Sequence, residues 1–280
     1  ASSAFVESTL AQLYKRRGRD SYIGGPAYYM QQGLGLRWMG LCFAVLISVT
    51  FGFAFNSVQS NTICAAWEGA FGFDPAMMGV VLTLLTLWII FGGIRQIARV
   101  SSVIVPVMAL GYIVLALGIV LFNAGHFVGV VELIVANAFG WEQALGGGAG
   151  AALMQGIKRG LFSNEAGMGS TPHAHALANV KSPHEQGTVA MIGVFIDTFV
   201  VLTMTALVVI CTLYAGNGPL AHGAVDGISK TNMAQLAFSN VFGDTLGNAF
   251  VAICLLFFAF STIVGWNLFG RINVNYLFGK

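Results

Sequence analysis

Five apolar stretches of this sequence approach or exceed the roughly 20 residues that a helix needs to cross a bilayer. They run from Trp38 to Trp67, Pro75 to Phe91, Val100 to Phe122, Val189 to Tyr214 and Ala249 to Phe269. Nothing else in the sequence constrains the fold as tightly. Inside lipid every backbone polar group must be satisfied within the protein, which leaves helices and closed barrels. The alternating pattern of a barrel strand does not occur, so the expected class is an all-α polytopic membrane protein. Composition agrees: 56% of the residues are apolar and 9% charged, against about a quarter charged in soluble domains. A soluble chain could not bury that much apolar surface and still cover itself with polar groups.

A sixth stretch, Gly146 to Ala178, begins apolar and is then broken by glycine and polar residues. Residues Ala1 to Tyr14 read as the tail of a helix already under way, and Lys280 follows shortly after a span, so both ends are expected to be cut. Loop charge alternates. Lys15, Arg16, Arg17, Arg19 and Arg37 share one loop, Arg95 and Arg99 another; Lys181 follows the broken stretch, and Arg271 and Lys280 close the chain. The loops around Glu68 and Asp74 and from Asn123 to Gln143 hold no Lys or Arg, and that from Ala215 to Asn248 only Lys230. Excess Lys and Arg marks cytoplasmic loops, which orients every span and counts the broken stretch as one crossing. The segment between Asn123 and Gly146 is expected to be an interfacial helix, and Thr231 to Phe242 another.

The net charge of +2 and the lack of a basic, aromatic-interleaved patch argue against nucleic acid. The four cysteines sit in apolar runs without metal-ligand spacing and read as small buried hydrophobes. His173 and His175 are two apart, on different helix faces, where a metal site on one helix would use i, i+4.

Ionisable and hydrogen-bonding groups at membrane depth are functional by default. The densest cluster is KRGLFSNEAGMGSTPHAH, Lys158 to His175. Its glycines favour a break, and the backbone ends exposed by a broken helix can grip a carboxylate or a cation. Glu165 reads as a gating group or as the partner of Lys158 or Arg159; as a direct ligand it would repel an amino acid's own carboxylate. Asn56, Gln59 and Thr62 share a helical face and serve either as glue between helices or as a cavity lining. Asp197 either braces the bundle or couples an ion. Phe258, Ser261, Thr262 and Trp266 form one stripe. Their oxygens suit a hard cation, as oxygen ligands suit Ca2+ and Mg2+, or the hydroxyls simply bond back to their own helix.

Three motifs together resemble the alanine or glycine:cation symporters, also called sodium:alanine symporters, of the amino acid–polyamine–organocation superfamily. They are GGPAYYMQQGLG (Gly24 to Gly35), RGLFSNEAGMGSTPHAHA (Arg159 to Ala176) and FAFSTIVGWNLFG (Phe258 to Gly270), with GGIRQIARVSSVIVPVMA and FIDTFVVLTMTA between them in the expected order. The resemblance covers the whole chain. It implies one transporter domain over residues 1–280, part of a leucine-transporter-like bundle of inverted repeats running from the end of core helix two through core helix eight. Core helix one and helices nine and ten would lie outside it, so this stretch alone is not expected to transport.

The implied activity is symport of a small neutral amino acid, alanine or glycine, with Na+ as coupling ion, in the inner membrane of a bacterium and as a monomer. A carrier of the same fold for another solute, coupled to protons, is the alternative. The resemblance assigns the substrate pocket to Gln59, Phe162, Asn164, Gly167, Gly169, Thr262 and Trp266, and the sodium site to Ser261 and Thr262. Glu165 and Asp197 are candidates for coupling or gating. With bulky Trp266 and Phe162 as its closing walls, the pocket would admit only small side chains. No nucleophile–base pair or metal constellation appears at depth, so no enzyme is expected.

Overall fold

The computed structural model describes residues 1–18, 21–139, 154, 163–215, 218–221, 223, 228 and 232–279, the side chains of 93–101 and 137–139 excepted. Among these, ten helices carry the architecture. They are α1 (Ser2–Leu13), α2 (Pro26–Gly33), α3 (Arg37–Phe71), α4 (Pro75–Phe91), α5 (Gly93–Phe122), α6 (Phe127–Phe139), α7 (Pro172–Leu177), α8 (Pro183–Tyr214), α9 (Met233–Phe242) and α10 (Asp244–Phe278). The segments Arg37–Phe71, Ser102–Phe122, Pro183–Tyr214 and Asp244–Phe278 are each long and apolar enough to cross a membrane. Helix α4, at 17 residues, is shorter. The chain is an all-α polytopic membrane protein, and each expected unbroken span corresponds to a helix. The first half of the broken stretch, with Lys158, Arg159 and Phe162, lies outside the described residues.

The first loop departs from the expectation in one detail. Arg16–Arg17 (β1) and Tyr22–Ile23 (β2) form a two-residue antiparallel ladder, with Arg16 opposite Ile23. Such a ladder leaves the class unchanged.

Helix limits follow local chemistry. Asp74 caps α4 by accepting the amides of Ala76 and Met77 at 2.9 and 3.0 Å, and Pro75 supplies a first helical residue that needs no N–H partner. Gly72 ends α3 in the left-handed conformation, φ 67, which costs a glycine nothing. Ser182 caps α8. Two long helices are not regular. A π-helical turn occupies Thr50–Ala54 in α3, and two more, Ile196–Leu202 and Ile210–Tyr214, occupy α8.

Helix α10 is the axis of the bundle. Phe260, Ile263 and Val264 pack on Ile63 of α3 and on Met78 and Leu82 of α4. Trp266, Phe269 and Ile272 pack on Phe51 of α3 and Tyr28 of α2. Toward its start, Val251 and Cys254 join Tyr112, Val208 and Phe238 from α5, α8 and α9. Lipid gives apolar association little drive, so close approach and interhelical hydrogen bonds carry the specificity. The Trp67 indole donates to the Ala252 carbonyl at 3.1 Å, Gln235 to Ala66 at 3.0 Å, and Tyr112 pairs with Thr205 at 2.7 Å. A Cβ at Gly187 in α8 would lie 2.4 Å from Thr9 Oγ1 in α1, so only glycine lets these helices meet there. Of the cysteines, Cys64, Cys211 and Cys254 are buried as expected, while Cys42 is exposed.

Candidate functional site

Two neighbouring features make up the site. The first is a cleft of about 430 Å³ bounded by α3, α5, α8 and α10. Its lining brings together Gln59, Asp197, Ser261 and Thr262, residues that span more than two hundred positions in the chain. Gln59 lines this cleft. Thr62 bonds back to Val58 at 2.9 Å, and Asn56 to Gly52 at 3.3 Å.

The Ser–Thr stripe takes a more specific form than its spacing predicts. Ser261 Oγ and Thr262 Oγ1 both donate to the Phe258 carbonyl, at 2.8 and 2.9 Å. That carbonyl is occupied and does not offer itself to an ion. The hydroxyl protons, however, are thereby fixed toward the helix, and each oxygen keeps lone pairs to present elsewhere. Asp197 stands in the π-helical turn of α8, a distortion that commonly accompanies function. With a carboxylate, an amide and two hydroxyls around one cleft, the donor set fits a hard cation next to a polar solute.

The second feature is the segment from Ser163 to His175, which reaches a different part of the bundle with nearly every polar residue. Ser163 donates to Asp197 at 3.0 Å, and Asn164 to Thr198 at 3.2 Å, while Asn164 Oδ1 accepts the Ala166 amide at 3.1 Å. The Glu165 carboxylate accepts the Trp266 indole N–H at 2.6 Å and the Ser170 hydroxyl. His173 is fully buried, its Nδ1 paired with the Ser170 carbonyl at 2.8 Å and its Nε2 with the Asn273 amide at 2.8 Å. Because Asn273 donates to the Phe269 carbonyl through the same nitrogen, His173 Nε2 acts as acceptor and Nδ1 carries the proton. Beneath them Gln12 of α1 donates to the carbonyls of His175 and Ala178, and Lys15 donates to Ala178 at 2.9 Å.

Glycines make these approaches possible. A Cβ at Gly25, φ 141, would lie 2.5 Å from the His173 ring, and one at Gly169, φ 79, 2.8 Å from Phe43. The Gly24–Gly35 motif thus docks on the second motif, and the second on the third through Glu165–Trp266, with His173–Asn273 just beyond the third on the same helix.

The structure does not bring every expected pocket residue to the cleft. Trp266 is 3% exposed and held by Phe51, Phe55 and Glu165, away from the cavity wall. Asn164 reaches the cleft only through its neighbours on α8. Gly167 faces α1 and Gly169 faces α3 and α2 rather than the cleft, and the Gly167 amide is already taken, 2.9 Å from Glu7 Oε2. Phe162 lies outside the described residues. Glu7 and Asn273 are residues that the sequence reading passed over, and His173 was weighed there only as a metal ligand. An acid among Ser3, Ser8 and Thr9 in an apolar helix was a signal of the same kind as Glu165.

Comparison with known proteins agrees with this architecture. The sequence pattern described as the sodium:alanine symporter family matches residues 1–280. The chain is 47% identical over 276 residues to the amino-acid carrier protein AlsT of Bacillus subtilis, covering 99% of this chain and 57% of that protein. It is 45% identical over 277 residues to GlnT of the same organism, named a probable sodium/glutamine symporter, covering 99% and 56%. To the sodium/alanine symporter AgcS of Methanococcus maripaludis it is 35% identical over 283 residues, covering 99% and 61%. The chain therefore spans somewhat over half the length of these relatives. It belongs to the sodium:alanine symporter family.

Proposed function

We propose that this chain is the central part of a monomeric, multi-pass carrier of the bacterial inner membrane that moves a small neutral amino acid, alanine or glycine, together with Na+. The observation that carries this reading is the convergence of Gln59, Asp197, Ser261 and Thr262 on one cleft among four helices. The hydroxyls of Ser261 and Thr262 face an ion with their lone pairs, and Asp197 supplies compensating charge nearby. Gln59 hydrogen-bonds the solute. Binding of the ion favours the conformation that holds substrate, and a bias of a few kcal/mol is enough to couple the two.

The names of relatives support amino-acid symport in general and differ in solute: AgcS is named for alanine, GlnT for glutamine. Asp197 in the cleft also supports a second reading, a proton in place of Na+, because a carboxylate can carry either. Uptake of radiolabelled alanine by cells expressing the carrier separates them. The sodium reading expects uptake in sodium buffer and little in choline buffer at the same pH; equal uptake in both would remove Na+ from the mechanism.

A further inference from the structure

The glycine turn of the broken stretch has a backbone geometry of its own, apart from the cleft. Glu165, Gly167 and Gly169 lie at φ 53, 92 and 79, and Glu165 is the one non-glycine residue at positive φ among the described residues. Ala166 and Met168 between them keep negative φ. The Ala166 and Met168 amides bond within the turn, to Asn164 Oδ1 and to the Glu165 carbonyl, and the alternation leaves the amides of the two glycines to form a shallow nest that attracts an anion.

An anion is seated there. Glu7 Oε2 accepts the Gly167 amide at 2.9 Å, and the Gly169 amide supplies a second backbone interaction. Glu7 comes from α1, which packs along α8 and α7, and Ala4 one turn earlier packs with Ala166 and Ala190. The carboxylate thus fastens the first helix to the turn whose Glu165 holds Trp266.

We propose that residues 165–169 form a carboxylate-binding nest and that Glu7 is its resident anion, a latch joining α1 to the broken stretch and positioning Glu165. The nest recognises a small carboxylate by backbone amides alone, so it tolerates any such group that can reach it. Removing the Glu7 side chain leaves a vacant site that a small free carboxylate refills.

Ser8 provides the reporter. It is fully buried beside Glu7, and its hydroxyl has no hydrogen-bond partner, so Ser8→Cys sacrifices no bond. In the full carrier, with exposed Cys42 replaced by Ser, maleimide labelling of Ser8→Cys is slow while Glu7 is present. Glu7→Ala is expected to speed labelling about tenfold, the scale of losing one charge-assisted hydrogen bond. Potassium formate then restores protection in a saturable way, whereas gluconate, too bulky for the turn, does not. Labelling that stays at the starting rate in Glu7→Ala overturns the latch. A rise that formate leaves unchanged overturns the nest, since Glu7 would then act by packing alone. If Glu7→Ala does not fold, Glu7→Gln keeps the shape and loses the charge: faster labelling supports the latch and an unchanged rate overturns it. This readout needs no transport, so its failure is distinct from failure of the carrier reading.

Discussion

At Ser261 and Thr262 a single geometry answers a question that spacing left open. Both hydroxyls bond back to Phe258, as Ser and Thr in membrane helices often do, and both also border the cleft. Back-bonding and ion binding are compatible, because the proton goes one way and the lone pairs another. On the proposed sodium reading Thr262→Ala removes an ion ligand, and the concentration of Na+ needed for half-maximal uptake is expected to rise about tenfold, or about 1.4 kcal/mol. Thr262→Ser keeps the oxygen and should remain near the parent value. An unchanged sodium dependence in Thr262→Ala would take that residue out of the ion site. Trp266 makes a second case. Its ring packs on Phe51 and Phe55 while its N–H reaches Glu165. Trp266→Phe keeps an aromatic ring but loses the donor, and is expected to destabilise the bundle by about 1 kcal/mol. Thermal unfolding in detergent, compared between Trp266→Phe, Glu165→Gln and the pair, should show the double variant less impaired than the sum. Strict additivity would mean that the two side chains do not act through one bond.

Helices were legible from the sequence because hydropathy and loop charge report directly on burial in lipid. The distortions within them were not. The π-helical turn at Ile196–Leu202 inserts a residue into a run that is apolar on every side apart from Asp197 and Thr198, so the shift of period leaves no readable trace in the pattern. The break near Gly167 and Gly169 was readable, since glycine weakens a helix wherever it stands; the partner that fills it was not. Glu7 lies 160 residues earlier, and only the fold brings it there. The same holds for docking between elements. Gly24 packs so closely on α7 that a Cβ would lie 2.8 Å from the Ala176 Cβ. Gly24→Ala is expected to cost about 1–3 kcal/mol by overpacking. Adding Ala176→Gly should recover part of the loss, measured as the melting midpoint in detergent, although glycine in that helix itself costs about 1 kcal/mol. If the double variant melts below Gly24→Ala by the full cost of the second change, the two residues do not share that contact.

Across the whole molecule, three motifs that are distant in sequence meet around one helix. Asn273 reaches back 100 residues to His173, and Trp266 reaches 101 to Glu165. Gly25 lies against the same His173 ring. The broken stretch is thus bonded to α1, α8 and α10 together, and adjoins the cleft through the Ser163–Asp197 pair. A change at the cleft has a short physical route to α1: Asp197, Ser163, the turn, Glu7. Family membership followed from motifs alone, and the fold class from composition. Which residues share the cleft did not, because Trp266 and Thr262 stand one turn apart on the same helix and only packing decides which of them faces it. In the proposed mechanism a sodium gradient does the work. The direct measurement is alanine accumulation by proteoliposomes containing the full carrier, with an inward Na+ gradient as the sole driving force and no difference in pH or membrane potential. Alanine is expected to accumulate above the external concentration, and a sodium ionophore that dissipates the gradient should abolish this. Accumulation driven by a pH gradient in the absence of sodium, with none in the sodium-only condition, would contradict it.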